Sequence, residues 1–247
     1  MKTTQQLESA ASERLLRPPT RLSTPCFRMR VAAEADLGRL EEHLETYFGG
    51  MSLVYHHDDT PSDTVHADIL IVAPSPEFDH YLLVTAGLSA LPIFLPGDTP
   101  QRLEREHAEL CMVLPNTWRL DEASLRERRW SWPFLLLRFW ARRHHLAHGN
   151  WVGEWHTLGN GEPAEPYAPG ASLAGAVLAP AVFLGPRFEG FKTVAGDPPI
   201  AMLQVIPITS DELAYSMTHG AKALVRVLAG AQQPPLGLTD PCRPSLV

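Results

Sequence analysis

The sequence predicts an α+β fold: one domain in which a mixed, mainly antiparallel β-sheet is flanked by helices. Three observations predict it. Short β-branched and aromatic runs follow one another without a helix between each pair, which argues against a regularly alternating, doubly wound sheet. Three other segments carry apolar residues at helical spacing. With 247 residues, 45% of them hydrophobic, the chain can bury a core without disulfides, and no repeat or low-complexity linker divides it.

Residues 1–26 mix polar and charged side chains and contain RPPTRLSTP, so a mobile leader is expected there, with the domain over 27–247. From Glu34, EADLGRLEEHLETYF places Leu37, Leu40, Leu44 and Phe48 on one helical face, and Gly49-Gly50 stops the helix. MSLVYH, HADILIVAP, HYLLVTAGLSALP and AELCMVLP then read as strands bounded by Pro, Asp or Gly. Ser131 is expected to cap a helix with Pro133 in its first turn, continued by FLLLRFWARRHHLAH with one apolar and one basic face. After a Gly/Pro-rich loop, GAVLAPAVFL and PPIAMLQVIPI predict two more strands. Thr209-Ser210-Asp211-Glu212 is a capping box for a helix running through LAYSMTHGAKALVRVLAG and ending at Gly230, and the tail after it reads as irregular.

Composition narrows the function. The net charge of −7 opposes attraction to phosphate backbones, so nucleic acid is not the expected partner. No apolar run reaches membrane-spanning length and none forms a signal peptide. Cys26, Cys111 and Cys242 give no CxxC pair and no even framework, which suits a reducing cytoplasm. No phosphate loop or dinucleotide fingerprint occurs, and no cofactor is implied.

Candidate chemistry is sparse. His66 and Asp68 share a strand face, and with His80 they define the alternative reading, a metal-dependent hydrolase. His144 and His148 are one helical turn apart but lack the HExxH acid, and His56-His57-Asp58-Asp59 suits a polar turn. Ser89 in AGLSALP lacks the glycine a nucleophile elbow needs two places on, and Cys111 lies within an apolar strand. RERRW at 126–130 with Arg138, Arg142 and Arg143 is the one concentration of positive charge, expected as a solvated helix face that leaves room for an anionic contact.

The aromatic content is more informative. Trp130, Trp132, Trp140, Trp151 and Trp155 are five of the six tryptophans, gathered around one helix and the loop WVGEWHTLGNGEPAEPYAPG. Trp132 and Trp140 are expected in the core. Trp151 and Trp155, beside Glu154 and His156 on irregular backbone, are candidates for a protein-binding surface, because tryptophan concentrates in the energetic centres of interfaces.

Six stretches in consistent order, DILIVAPSPEFDHYLLVTAGLSALP, AELCMVLPNTW, WPFLLLRFWAR, HTLGNGEPAEPYAPG, LQVIPITSDELAYSMTHGAKALV and DPCRPSL, resemble the suppressor-of-fused domain in its bacterial form. The resemblance runs from about residue 40 to the C-terminus. It implies a non-enzymatic α+β binding domain. Animal members bind a transcription factor by taking up an extended peptide as an added strand; bacterial members are thought of as immunity proteins that neutralise polymorphic toxins. The animal members' second, C-terminal domain has no counterpart in this sequence. By position, the family's peptide-site aromatic and acidic residues resemble Trp151 and Glu154. The expected partner-binding set is therefore Trp151, Glu154, Trp155, His156 and Arg143, with a protein or extended peptide as partner, for the bacterial members a toxin domain.

Overall fold

The computed structural model describes residues 33–48, 53–56, 67–90, 107–146, 155–181, 185, 187–191, 199–231 and 237–247. Cys26 and the expected leader lie outside the described residues. In chain order the elements are α1 (Ala33–Phe48), β1 (Leu53–His56), β2 (Asp68–Val72), β3 (His80–Ala86), a 3-10 turn (Leu88–Ala90), β4 (His107–Pro115), α2 (Glu122–Leu125), α3 (Arg128–Leu146), β5 (Thr157–Gly159), β6 (Leu173–Pro180), β7 (Gly190–Phe191), β8 (Ile200–Thr209), α4 (Ser210–His219) and α5 (Ala221–Ala231). The strands form one sheet in the order β1-β2-β3-β4-β8-β6-β5, with β7 also on β8. Among the described strand pairs only β4 with β8 is parallel, so the sheet is mixed and mainly antiparallel, as the sequence predicts.

β4 and β8 are buried on both faces, which explains why AELCMVLP and IAMLQVIPIT read as continuous apolar runs rather than alternating ones. One face of the sheet packs on α3 through Ile69, Leu83, Leu110, Met112 and Leu203 against Trp132, Leu137 and Trp140. The other face has two covers. Leu40, Leu44 and Phe48 of α1 meet Leu70, Leu82, Val84, Cys111 and Met202. Leu224, Val225 and Leu228 of α5 meet Val177, Ala179, Ile206 and Ile208.

Several boundaries differ from expectation, each for a local reason. α3 begins at Arg128, not after a Ser131 cap: the Glu127 carbonyl already accepts the Trp130 and Ser131 amides, and the Ser131 hydroxyl donates back to it at 3.0 Å. Pro133 therefore sits inside the helix rather than in its first turn. The capping box at Thr209 and Glu212 forms as predicted, but the helix it starts ends at Gly220 (φ 87), whose amide returns to the Ser216 carbonyl, and Gly230 lies within α5. β6 starts at Leu173, before the expected GAVL. β5 and β7 are too short to leave a periodic signal.

The tail has little regular structure yet is firmly docked. Leu238 bridges Val113 in parallel and the Thr239 amide donates to the Val113 carbonyl at 3.0 Å. Gly237 makes the crossing possible: φ is +75, and a Cβ there would lie 2.7 Å from Gln204 Nε2.

Candidate functional site

The C-terminal half of α3 and the chain entering β5 meet at the β6 side of the sheet. The Trp155 amide donates to the Leu178 carbonyl at 2.7 Å, and the Leu178 amide donates to the His156 carbonyl at 2.9 Å. Two residues thus oppose one, the arrangement of a bulge whose first position has positive φ and normally holds glycine. Trp155 occupies that position at φ 65. A bulky residue held there costs about 1–3 kcal/mol, and such strain persists where surrounding structure imposes it.

The bulge sends neighbouring side chains to opposite faces of the sheet. His156 turns toward α3, edge-on to the Trp140 ring at 6.1 Å between centroids. Burial and, next, the charge of Arg143 hold its pKa below the ordinary imidazole range, so it is neutral at physiological pH. Arg143 Cζ stands 5.8 Å from the ring centre of Phe139, which is 48% exposed, and Arg143 Nε is buried with no hydrogen-bond partner among the described residues. Trp155 faces the other way, packed with Leu213, Tyr215 and Leu246 against the α5 cluster, with Lys222 Nζ 5.2 Å from its ring centre. The structure therefore joins Arg143 with His156 and places Trp155 on the far face. Trp151 and Glu154 lie outside the described residues, and no geometry is assigned to them.

Trp132 and Trp140 are fully buried, as expected. Arg126, Arg128 and Arg129 face solvent, as expected of the basic concentration, whereas Arg138 is buried. Arg126 pairs with Glu122, Arg128 Nε donates to the Tyr167 carbonyl at 3.0 Å, and Arg138, 8% exposed, reaches the Ala67 carbonyl at 3.5 Å.

The hydrolase constellation does not assemble. Asp68 pairs with Ala86 at one end of the β2–β3 ladder, whereas His80 pairs with Pro115 beyond its other end. Six residues of extended chain separate His80 from Ala86, roughly 20 Å at 3.3 Å per residue, too far for one ion. His66, His57, Asp58, Asp59 and His148 lie outside the described residues, as does the His144 side chain. Among the described residues no group of three or more His, Cys, Asp or Glu could hold a metal ion. Cys111 is fully buried in the α1 cluster, where burial pushes its thiol pKa far up and suppresses the reactive thiolate.

One buried polar centre has no sequence signal. Glu109 on β4, 1% exposed, accepts from Thr85 Oγ1 at 2.7 Å, the Gly87 amide at 3.1 Å and the Ser89 amide at 3.0 Å, while His107 Nδ1 lies 2.7 Å from the Ser89 carbonyl. Ser89 thus serves through both its backbone and its side chain as a partner in a turn held by Glu109. Its place inside an apolar strand hides Glu109 from pattern reading, since only pairing reveals the turn opposite. Burial raises the Glu109 pKa, and the hydrogen bonds from Thr85, Ser89 and Gly87 oppose that only in part. A raised folded-state pKa gives stability that is complete below the ordinary carboxylate value and is lost as pH rises through the folded value. In Glu109→Gln the amide oxygen can keep the Gly87 and Ser89 amides, but the NH2 group then faces the Thr85 hydroxyl, and the change is expected to destabilise by about 1–3 kcal/mol at acid pH. Because only the wild type titrates, melting curves from pH 4.5 to 8 should show that deficit narrowing; a deficit that widens would reverse the assigned sign.

Among described helices, none is long and apolar enough to cross a membrane. No curated protein sequence matches the chain. Solved structures do. The chain superposes on a Neisseria gonorrhoeae protein assigned as a suppressor of fused homologue with TM-score 0.59 and 15% identity, covering 85% of this chain and 96% of that one. A chain in the crystal structure of the Sufu–Fu complex gives TM-score 0.59 and 14% identity, covering 85% and 91%. Drosophila Suppressor of Fused gives TM-score 0.51 and 16% identity over 85% of this chain and 51% of its own. These likenesses establish a shared fold. Residues 63–244 match the family described as Suppressor of fused protein (SUFU); spanning well over half of the sequence and agreeing with the fold, that match means that the chain belongs to the suppressor of fused family.

Proposed function

We propose that the chain is a non-enzymatic protein-binding domain, comprising residues 27–247, that grips a protein or extended peptide with the 151–156 loop and the adjoining end of α3. The observation that carries the reading is the family match over residues 63–244. The Sufu–Fu complex, a relative of this fold bound to a protein, agrees with it.

Local physics supports the same place. Trp155 holds strained backbone at the loop's exit, Phe139 exposes nearly half its surface beside Arg143, and Arg143 Nε lacks a described partner. An exposed aromatic ring beside a guanidinium with one buried, unpaired nitrogen is the composition of interface hot spots. Glu154 supplies the complementary charge for a basic or amide-rich partner, and Trp151 a second anchor. The finer reading is a cytoplasmic immunity protein that occludes a polymorphic toxin by binding it.

The test is a pull-down from the native host's lysate and secreted fraction with wild type and the double variant Trp151→Ala, Glu154→Ala, after both are shown to melt alike. Capture of a partner by wild type and at least tenfold less by the variant is the expected result. Equal capture by both moves the grip elsewhere, and toxin immunity fails if the captured protein has no toxic activity that the wild type relieves. Capture of nothing by either overturns the binding reading.

A further inference from the structure

We propose that a second surface, the groove between the β4–α2 turn and the C-terminal tail, docks an acidic peptide segment of a partner protein. The groove has a volume of about 620 Å³ and an apolar lining from Pro115, Trp118, Trp130, Leu238 and Pro241, with Arg119 and Arg129 beside them. That volume is within the range that holds a few side chains of a ligand.

The two arginines are the reason for the ligand's charge. Of the four arginines between residues 119 and 129, Arg126 and Arg128 are committed to Glu122 and to the Tyr167 carbonyl. Arg119 and Arg129 are instead held over one indole, with guanidinium carbons 5.6 Å and 5.0 Å from the Trp130 ring centre. Neither forms an ion pair with a described carboxylate, although Glu127 and Asp240 line the same groove. Two nearby carboxylates have other main partners: Asp121 accepts the Ser124 amide at 3.0 Å and the Ser124 hydroxyl at 2.7 Å, with the Arg119 charge the smallest of the influences on it, and Asp240 accepts the Cys242 amide at 3.0 Å.

The platform beneath them is rigid. Trp118, 4% exposed, stands edge-on to Trp130 at 5.4 Å, and its indole nitrogen donates to the Trp130 carbonyl at 3.0 Å. Stacking on this fixed ring lowers the rotamer freedom the arginines lose when a ligand arrives. A carboxylate is the group that matches a guanidinium in a bidentate contact, and a neighbouring apolar side chain fills the indole and proline lining. A long polyanion suits the surface less well, because phosphates leave the apolar lining of Pro115, Trp118, Leu238 and Pro241 unfilled.

No lining residue of this groove belongs to the 151–156 loop, so the two sites fail independently. The test is selection of phage-displayed random heptapeptides on the wild-type protein, followed by fluorescence anisotropy of the enriched peptides against wild type, Arg119→Gln, Arg129→Gln and the Trp151→Ala, Glu154→Ala double variant. Both arginines are exposed, and each variant is first shown to melt like wild type. The expected result is enrichment of peptides with Asp or Glu beside an apolar residue, binding about tenfold weaker to each arginine variant and unchanged in the double variant. Four results overturn the proposal: no acid-rich sequence emerges, the arginine variants bind like wild type, the loop variant alone loses binding, or a single-stranded oligonucleotide binds more tightly with the same arginine dependence.

Discussion

Arg243→Ala is expected to destabilise the protein by about 3–5 kcal/mol, the range for removing one partner of a buried ion pair. Glu212 is fully buried and Arg243 is 8% exposed. The guanidinium meets the carboxylate through two contacts, at 2.5 and 2.6 Å, and also donates to the Pro207 carbonyl at 3.1 Å. The same carboxylate accepts the Thr209 amide at 2.9 Å and the Leu246 amide at 3.1 Å, so one side chain ties the capping box of α4 to the end of the chain. Removal of the arginine leaves a buried negative charge and releases the tail that covers β4 at Leu238. Urea unfolding should show the loss, and a change under 1 kcal/mol would mean that the tail is not a structural strap.

The pair also sets an acid limit. Burial alone would raise the Glu212 pKa, but Arg243 and the two amides outweigh it and the value is lowered. A lowered folded-state pKa gives stability that is present above the ordinary carboxylate value and lost as pH falls through the folded value. Wild type should therefore lose stability toward acid pH faster than Glu212→Gln, the opposite trend to that of Glu109.

Trp132→Ala is expected to cost about 3–5 kcal/mol, as for other fully buried large aromatics. The indole is 1% exposed and lies flat on Tyr167, with 5.0 Å between centroids and 4° between planes, while Trp118 meets it edge-on at 6.0 Å. Tyr167 belongs to the Gly/Pro-rich turn, and the stack therefore pins that turn to α3; its amide also donates to the Leu173 carbonyl at 3.0 Å. A double-mutant cycle with Tyr167→Ala should give a coupling of about 0.5–1.5 kcal/mol. Limited proteolysis should cut first within residues 160–170 of the Trp132→Ala protein. Additive single effects would show that the rings pack independently.

Long periodic runs carried their own message. Leu40, Leu44 and Phe48 share a helical face because of their spacing, the Thr209 and Glu212 capping box is a local contract among four residues, and β4 and β8 announced burial on both faces through unbroken apolar stretches. The α+β class and its mainly antiparallel sheet followed, and the family resemblance rested on those same stretches. Interactions between residues far apart in sequence left no such trace. The parallel pairing of β4 with β8, the carboxylate of Glu109 opposite the Gly87–Ser89 turn, and the grip of Arg243 on Glu212 each join segments at least 20 residues apart. The candidate loop shows the same division: its tryptophans were visible as composition, but only the bulge opposite Leu178 decided that His156 joins Arg143 while Trp155 turns to α5. A side chain's face depends on the register of its backbone against another strand, and register is a property of the folded pair.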